Sequence, residues 1–136
     1  YVNTDFDKVI DIAKKRNIQV IERPPHLAGD KVWTQPVINH TDDELGGLDD
    51  EDIIVILQAN SPQITTEKID ECIDMLINND LFEVHTIDST MINNGAIQVI
   101  KRKVRNIKGK VCYNGVVMAD WVDVHTIEDI NKIGDL

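Results

Sequence analysis

Apolar and polar positions follow several rhythms along the 136-residue chain, and each rhythm predicts an element. Ile53-Ile-Val-Ile-Leu57 is an unbroken, mostly β-branched run. That is the pattern of a strand buried on both faces at the centre of a parallel sheet. Ile69, Cys72, Ile73, Leu76 and Ile77 recur at helical spacing, a core-facing stripe that Thr65 or Thr66 would cap. Phe6, Val9, Ile10 and Ala13 form a second helical face. A capping box at Thr4-Asp-Phe-Asp7 opens this helix, and Lys14, Lys15 and Arg16 close it where the macrodipole favours cations. Ile18 to Ile21 reads as a strand stopped by Pro24-Pro25. A polar loop, His26 to Asp30, then leads to a helix near Val32 to His40, and the acidic run Thr41 to Asp52 reads as a surface connection. Phe82 to Ile87, Ala96 to Val104 and Val111 to Met118 are further strands, and a last helix runs from Ile127 toward Ile133. Strands alternating with helices predict one α/β domain with a doubly wound, mostly parallel sheet.

Trp121-Val-Asp-Val-His125 breaks the purely structural pattern. Val122 and Val124 alternate with Asp123 and His125, so in a strand the two polar side chains share a face. Thr126 with Asp129 fits a second capping box, which puts the acid and the histidine just before a helix. In an open α/β sheet the carboxyl ends of strands are where ligands bind, although a polar strand edge beside an ordinary cap has the same pattern.

Charge narrows the options. The formal net charge is -10 and the pI about 4.7. Binding nucleic acid without regard to sequence needs a basic face, so no nucleic-acid partner is expected. Lys101, Lys103 and Arg105 would share one strand face, continued by Lys108 and Lys110, which reads as a solvated face or a phosphate-binding stripe. Cys72 and Cys112 have no metal-ligand spacing, and Cys72 on its apolar stripe reads as a buried thiol. No disulfide framework, signal peptide or long apolar span stands out, so a reducing, cytoplasmic setting without a membrane partner is expected. Because the first residue is tyrosine, the chain is expected to be processed or part of a longer one.

Candidate chemistry lies at three places. Gln58, Asn60 and Ser61 follow the most apolar strand directly and offer amide and hydroxyl groups for neutral recognition, or for bonding their own loop. Asn94-Gly95 is a turn pair, in which Gly95 could also admit a ligand close to the backbone while the Asn94 amide points into a site. Asp123 is the best candidate ligand for a hard Mg²⁺ ion, which one or two carboxylates and substrate phosphates can hold. His125 on the same face is a weaker ligand or a partner for that carboxylate. His26, His40 and His85 read as surface or satisfied polar residues. There is no Gly-x-Gly-x-x-Gly, Walker loop or Cys-x-x-Cys.

Taken in order, four stretches resemble the acylneuraminate cytidylyltransferase (CMP-sialic acid synthetase) family of the nucleotide-diphospho-sugar transferase superfamily. They are Val2-Asn-Thr-Asp5 with Arg23-Pro-Pro-His-Leu-Ala-Gly-Asp30, Leu57-Gln-Ala-Asn-Ser-Pro-Gln-Ile-Thr65, Asn94-Gly-Ala-Ile97, and Val122-Asp-Val-His-Thr126 with Asp129. The resemblance implies a Rossmann-like domain spanning residues 1–136, incomplete at its amino end. It implies transfer of CMP from CTP to an acidic sugar of the sialic acid or KDO type, with release of pyrophosphate. Asp123 would hold Mg²⁺, while Gln58 and Asn94 would contact the sugar or the phosphate region, with Ser61 in the same loop.

The chain departs from the family's pattern in several ways. The first strand and its nucleotide-holding loop are absent, His125 replaces a second metal aspartate, and Ile64 replaces an arginine. The segment from Pro62 to Asn94 is also shorter, which implies a small or altered acceptor site. A non-catalytic binding module that kept the fold is the alternative expectation, and another sugar-nucleotide pyrophosphorylase is a third. A sheet edge left open by a missing first strand predicts association, so a homo-oligomer is one expected state.

Overall fold

A computed structural model describes residues 1–29, 31–105 and 113–134. Asp30, Cys112, Lys108, Lys110 and the first two residues of the expected strand at Val111 lie outside the described residues. The chain divides into two compact units, Tyr1–Leu48 and Asp49–Leu136.

In the first unit β1 (Val2–Thr4) and β2 (Val20–Glu22) form a two-stranded parallel sheet joined through α1 (Asp7–Lys15). The expected capping box at Thr4 does not form. Thr4 belongs to β1, where its carbonyl accepts the Arg23 amide at 2.9 Å, and Phe6 becomes the cap residue. Ala13 is the buried anchor of α1, and Phe6, expected on the inner face, is exposed. Helix α2 spans Thr34–Leu45, five residues beyond the expected end at His40. Val37, Ile38, Thr41 and Leu45 continue one face at helical spacing, so the acidic run belongs to a helix and not to a connection, with Asp43 and Glu44 exposed and Asp42 buried. Gly46, at φ +58°, ends it.

In the second unit a four-stranded sheet has the order β3-β5-β4-β6, from β3 (Ile53–Leu57), β4 (Glu83–Ile87), β5 (Asn93–Lys101) and β6 (Asn114–Met118). Helix α3 (Thr66–Asn78), capped by Thr65, packs Cys72 and Leu76 against Val84, Ile97, Val99 and Val117 on one sheet face. Burying each such aliphatic side chain contributes about 1.5–3 kcal/mol. At Gly115 the Leu81 and Met75 side chains approach to 2.6 and 2.8 Å of where a Cβ would stand, which is why that strand position carries no side chain.

The α/β class is as expected, but the strand directions are mixed. β4 and β6 run parallel, whereas β3–β5 and β5–β4 are antiparallel. β3 is an edge strand of this sheet, not a central parallel one, with Val55 36% and Leu57 47% exposed. Its apolar run records sequence composition but not which strands lie beside it. The basic stretch also differs from expectation. β5 stops at Lys101 and a 3-10 turn takes Arg102–Val104, so Lys101, Lys103 and Arg105 do not share a strand face. Lys101 bonds Asp80 at 2.5 Å and Lys103 bonds Glu51 at 2.6 Å, so acidic neighbours absorb this charge. Among the described residues no helix is long and apolar enough to cross a membrane.

Candidate functional site

The turn after β3 is stiffened by its own backbone. The Gln58 amide donates to the Ala96 carbonyl at 3.0 Å, adding one rung to the β3–β5 ladder. Ser61 N–H then bonds the Gln58 carbonyl at 3.2 Å, and Ile64 N–H bonds Ser61 at 3.3 Å. Ser61 is buried within this turn, at 4% exposure. The side-chain amide of Gln58 makes no hydrogen bond to another described residue.

Residues 121–125 form an extended segment outside the sheet ladders, although the alternation predicted a strand. Side-chain and loop partners replace a neighbouring strand. Val124 N–H donates to the Asn60 carbonyl at 2.9 Å, and Val122 N–H donates to the Gln63 side-chain carbonyl at 2.7 Å. Trp121 packs against the core cluster and anchors the segment's start. The expected same-side placement of Asp123 and His125 follows from this extended geometry. Asp123 Oδ1 accepts from Asn60 Nδ2 at 2.5 Å, and Asp123 Oδ2 lies 2.7 Å from His125 Nε2. The Asp123 and His125 side chains are 44% and 70% exposed, so a solute can reach both.

Behind them the expected capping box forms at the start of α4 (Ile127–Ile133). Asp129 Oδ2 accepts the amides of His125 at 3.1 Å and Thr126 at 2.9 Å, and Lys132 donates to Oδ1 at 2.6 Å. The Lys132 bond, then the two amides, hold the Asp129 carboxyl far below the usual carboxylate range. The cap thus fixes the backbone on which His125 stands.

Asn94 bonds within the protein, and Gly95 takes a positive φ. Asn94 Oδ1 accepts the Thr86 hydroxyl at 2.6 Å, and its amide donates to the Ala119 carbonyl at 2.6 Å. The amide therefore ties β4 and β5 to the chain just after β6 and holds the start of the segment that leads to Asp123. Gly95 has φ +69° at the irregularity between β4 and β5, and nothing lies within 4 Å of its Cβ position. It supplies a backbone conformation that glycine adopts readily. His40 accepts the Asn3 amide at 3.2 Å, as a satisfied polar residue should. His85 departs from that reading. Its Nδ1 is buried without a hydrogen bond among the described residues, 3.9 Å from Glu83.

An apolar cavity of about 240 Å³, lined by Ala59, Asn60, Pro62, Val124, Ile130 and Ile133, adjoins the cluster. It accommodates a small apolar group. The sequence reading missed Gln63, whose bond to Val122 spans 59 positions and has no local signature. Among the described residues no three His, Cys, Asp or Glu side chains converge for a metal. The donor chemistry suits an ion held by one carboxylate, a nearby imidazole and a ligand's phosphates. No family model matches the chain, and no curated protein matches it.

Proposed function

We propose that this chain is a cytidylyltransferase-like domain that takes part in transferring CMP from CTP to an acidic sugar. The observation that carries the reading is the convergence of Asn60, Asp123 and His125 from two distant segments at the carboxyl end of β3. The finer fold reading is a Rossmann-like nucleotide-diphospho-sugar transferase sheet, and the parallel β4–β6 pair with α3 packed on the sheet suits it. A reducing cytoplasmic setting suits the buried free thiol of Cys72.

In the reaction a sugar hydroxyl forms a bond to the α-phosphorus of CTP while the bond to the pyrophosphate oxygen breaks, and the hydroxyl proton passes to solvent water. Asp123 would hold Mg²⁺, which when bound neutralises charge on the triphosphate. Gln58 presents a free amide to the sugar or a phosphate oxygen. Asn60 orients the Asp123 carboxylate, and the Asn94–Ala119 bond positions the segment that carries it. Positioning supplies most of phosphoryl-type catalysis.

The test is calorimetric titration of CTP with and without Mg²⁺, on the wild type and on Asp123→Ala. Magnesium-dependent binding, weakened at least tenfold in the variant, supports the reading. Binding that ignores both Mg²⁺ and the substitution rejects Asp123 as the metal ligand. No CTP binding at all favours the second reading, a non-catalytic binding module. The internal commitment of the Asn94 amide and the two bonds already made by Asp123 support that alternative.

A further inference from the structure

We propose that the cavity between β2 and α2, within the first unit, binds a primary ammonium group on an aliphatic stem, with His40 donating a hydrogen bond to a carbonyl of the same ligand. The inference goes beyond the cytidylyltransferase reading and does not depend on it.

The cavity holds about 650 Å³, within the ~300–1,000 Å³ of small-molecule sites. Gln19 and Glu22 at β2 and His40 and Glu44 on α2 give it polar lining, and Val20 and Leu45 give it apolar wall. His40 and Glu44 stand one turn apart on α2 and so share a face. Neither Glu22 nor Glu44 has a hydrogen bond or ion pair among the described residues. Arg23, next to Glu22, does not neutralise it. Its Nε donates to Asn3 Oδ1 at 2.9 Å and its Nη2 to the Asn3 carbonyl at 2.7 Å.

Those two bonds also decide how His40 is presented. A guanidinium only donates, so Arg23 holds the side-chain oxygen of Asn3 and leaves the Asn3 amide to α2. That amide has two protons and two partners, Thr41 Oγ1 at 2.9 Å and His40 Nδ1 at 3.2 Å. The Thr41 proton goes to the Val37 carbonyl at 2.9 Å, so the hydroxyl is free to accept from Asn3. His40 Nδ1 is therefore an acceptor, and the ring proton stands on Nε2, which has no partner among the described residues. The ligand class follows from these groups. Two unpaired carboxylates select a cation, the Nε2 proton selects a carbonyl, and Val20 and Leu45 accept a methylene stem. A lysine or a lysine side chain combines all three.

The experiment titrates the ¹⁵N-labelled full chain with Nα-acetyl-lysine methylamide and follows amide shifts. Saturable shifts confined to residues 19–22 and 40–45 are expected, and the Nε-acetylated derivative, which lacks the charge, should produce none. Glu22→Gln and Glu44→Gln, both at exposed positions, should each weaken binding about threefold, as expected of a solvated ion pair. Asp11→Asn removes the same charge from α1 outside the cavity and should leave binding unchanged. His40→Ala should weaken the lysine derivative but not butylamine, which has no carbonyl. Long-range ¹H–¹⁵N spectra should show the His40 proton on Nε2. Free lysine binding more tightly than the blocked derivative assigns a free amino acid as the ligand, and the reverse assigns a peptide-borne side chain. Absence of saturable shifts, equal binding of the acetylated form, or an equal loss in Asp11→Asn overturns the proposal. A His40 proton on Nδ1 overturns it as well.

Discussion

The side chain of Asn60 grips the carboxylate of Asp123 at 2.5 Å across 63 positions of sequence. The same asparagine accepts the Val124 amide through its backbone, so one loop residue both docks the extended segment and aims the acid at its centre. Asn60→Ala removes the aiming bond and leaves the docking bond. A hydrogen bond of this kind contributes about 0.5–1.5 kcal/mol, and urea unfolding should show a loss in that range. Metal affinity should fall more steeply than stability. Equal affinity in the variant and the wild type would mean that Asp123 needs no orienting partner.

The cap beneath His125 makes the start of α4 sensitive to acid. The Asp129 carboxyl is held down by Lys132 and by the amides of His125 and Thr126. A carboxyl depressed in the folded state contributes stability that is present above its unfolded value, about 3.9, and is lost as pH falls through its folded value. Stability should therefore be level from pH 7 to about 4 and decline below. Asp88, lowered by the Thr90 hydroxyl and the Ile92 amide, and Asp80, lowered by Lys101, act in the same direction. Asp129→Asn should flatten part of the acid limb in melting curves recorded against pH. An unchanged limb would assign acid sensitivity to other carboxylates.

Cys72 is wholly buried under the sheet, and burial pushes its thiol up to about 11. The thiolate is the reactive form, so native Cys72 should resist iodoacetamide at pH 8 and react once the chain is unfolded. Peptide mass mapping separates Cys72 from Cys112. Alkylation of Cys72 in the native protein would mean that α3 opens readily from the sheet.

These elements differ in how far the sequence reveals them. The α3 stripe and the alternation of Asp123 with His125 were legible, because both depend on local periodicity that survives in the fold. The reach of α2 was hidden, since Asp42, Asp43 and Glu44 resemble a loop unless Leu45 is counted with Ile38 and Thr41. The place of β3 in the sheet was hidden for a different reason, as strand order is set by distant pairing. Asn94 is the instructive case within the site. An Asn-Gly pair signals a turn, but only the structure shows that its amide serves the Ala119 carbonyl.

The open edge of β3 follows from the hydrogen-bond pattern of its ladder. Gln58 N–H reaches the Ala96 carbonyl and Arg102 N–H reaches the Asp52 carbonyl, so the even-numbered residues between face β5. Ile53, Val55 and Leu57 therefore turn their backbone groups to the open edge. Val55 and Leu57 are also exposed, and no charge, proline or bulge interrupts the strand. Natural sheets blunt such edges because they pair with other strands. Val55→Lys should place a charge at the middle of this edge, on the face shared with its cross-strand neighbour Val99, where Val55 remains 36% exposed. Sedimentation velocity should show the wild type associating as concentration rises and the variant remaining monomeric, with unchanged circular dichroism. If both chains sediment alike at every concentration, another element covers or avoids this edge and association does not pass through β3.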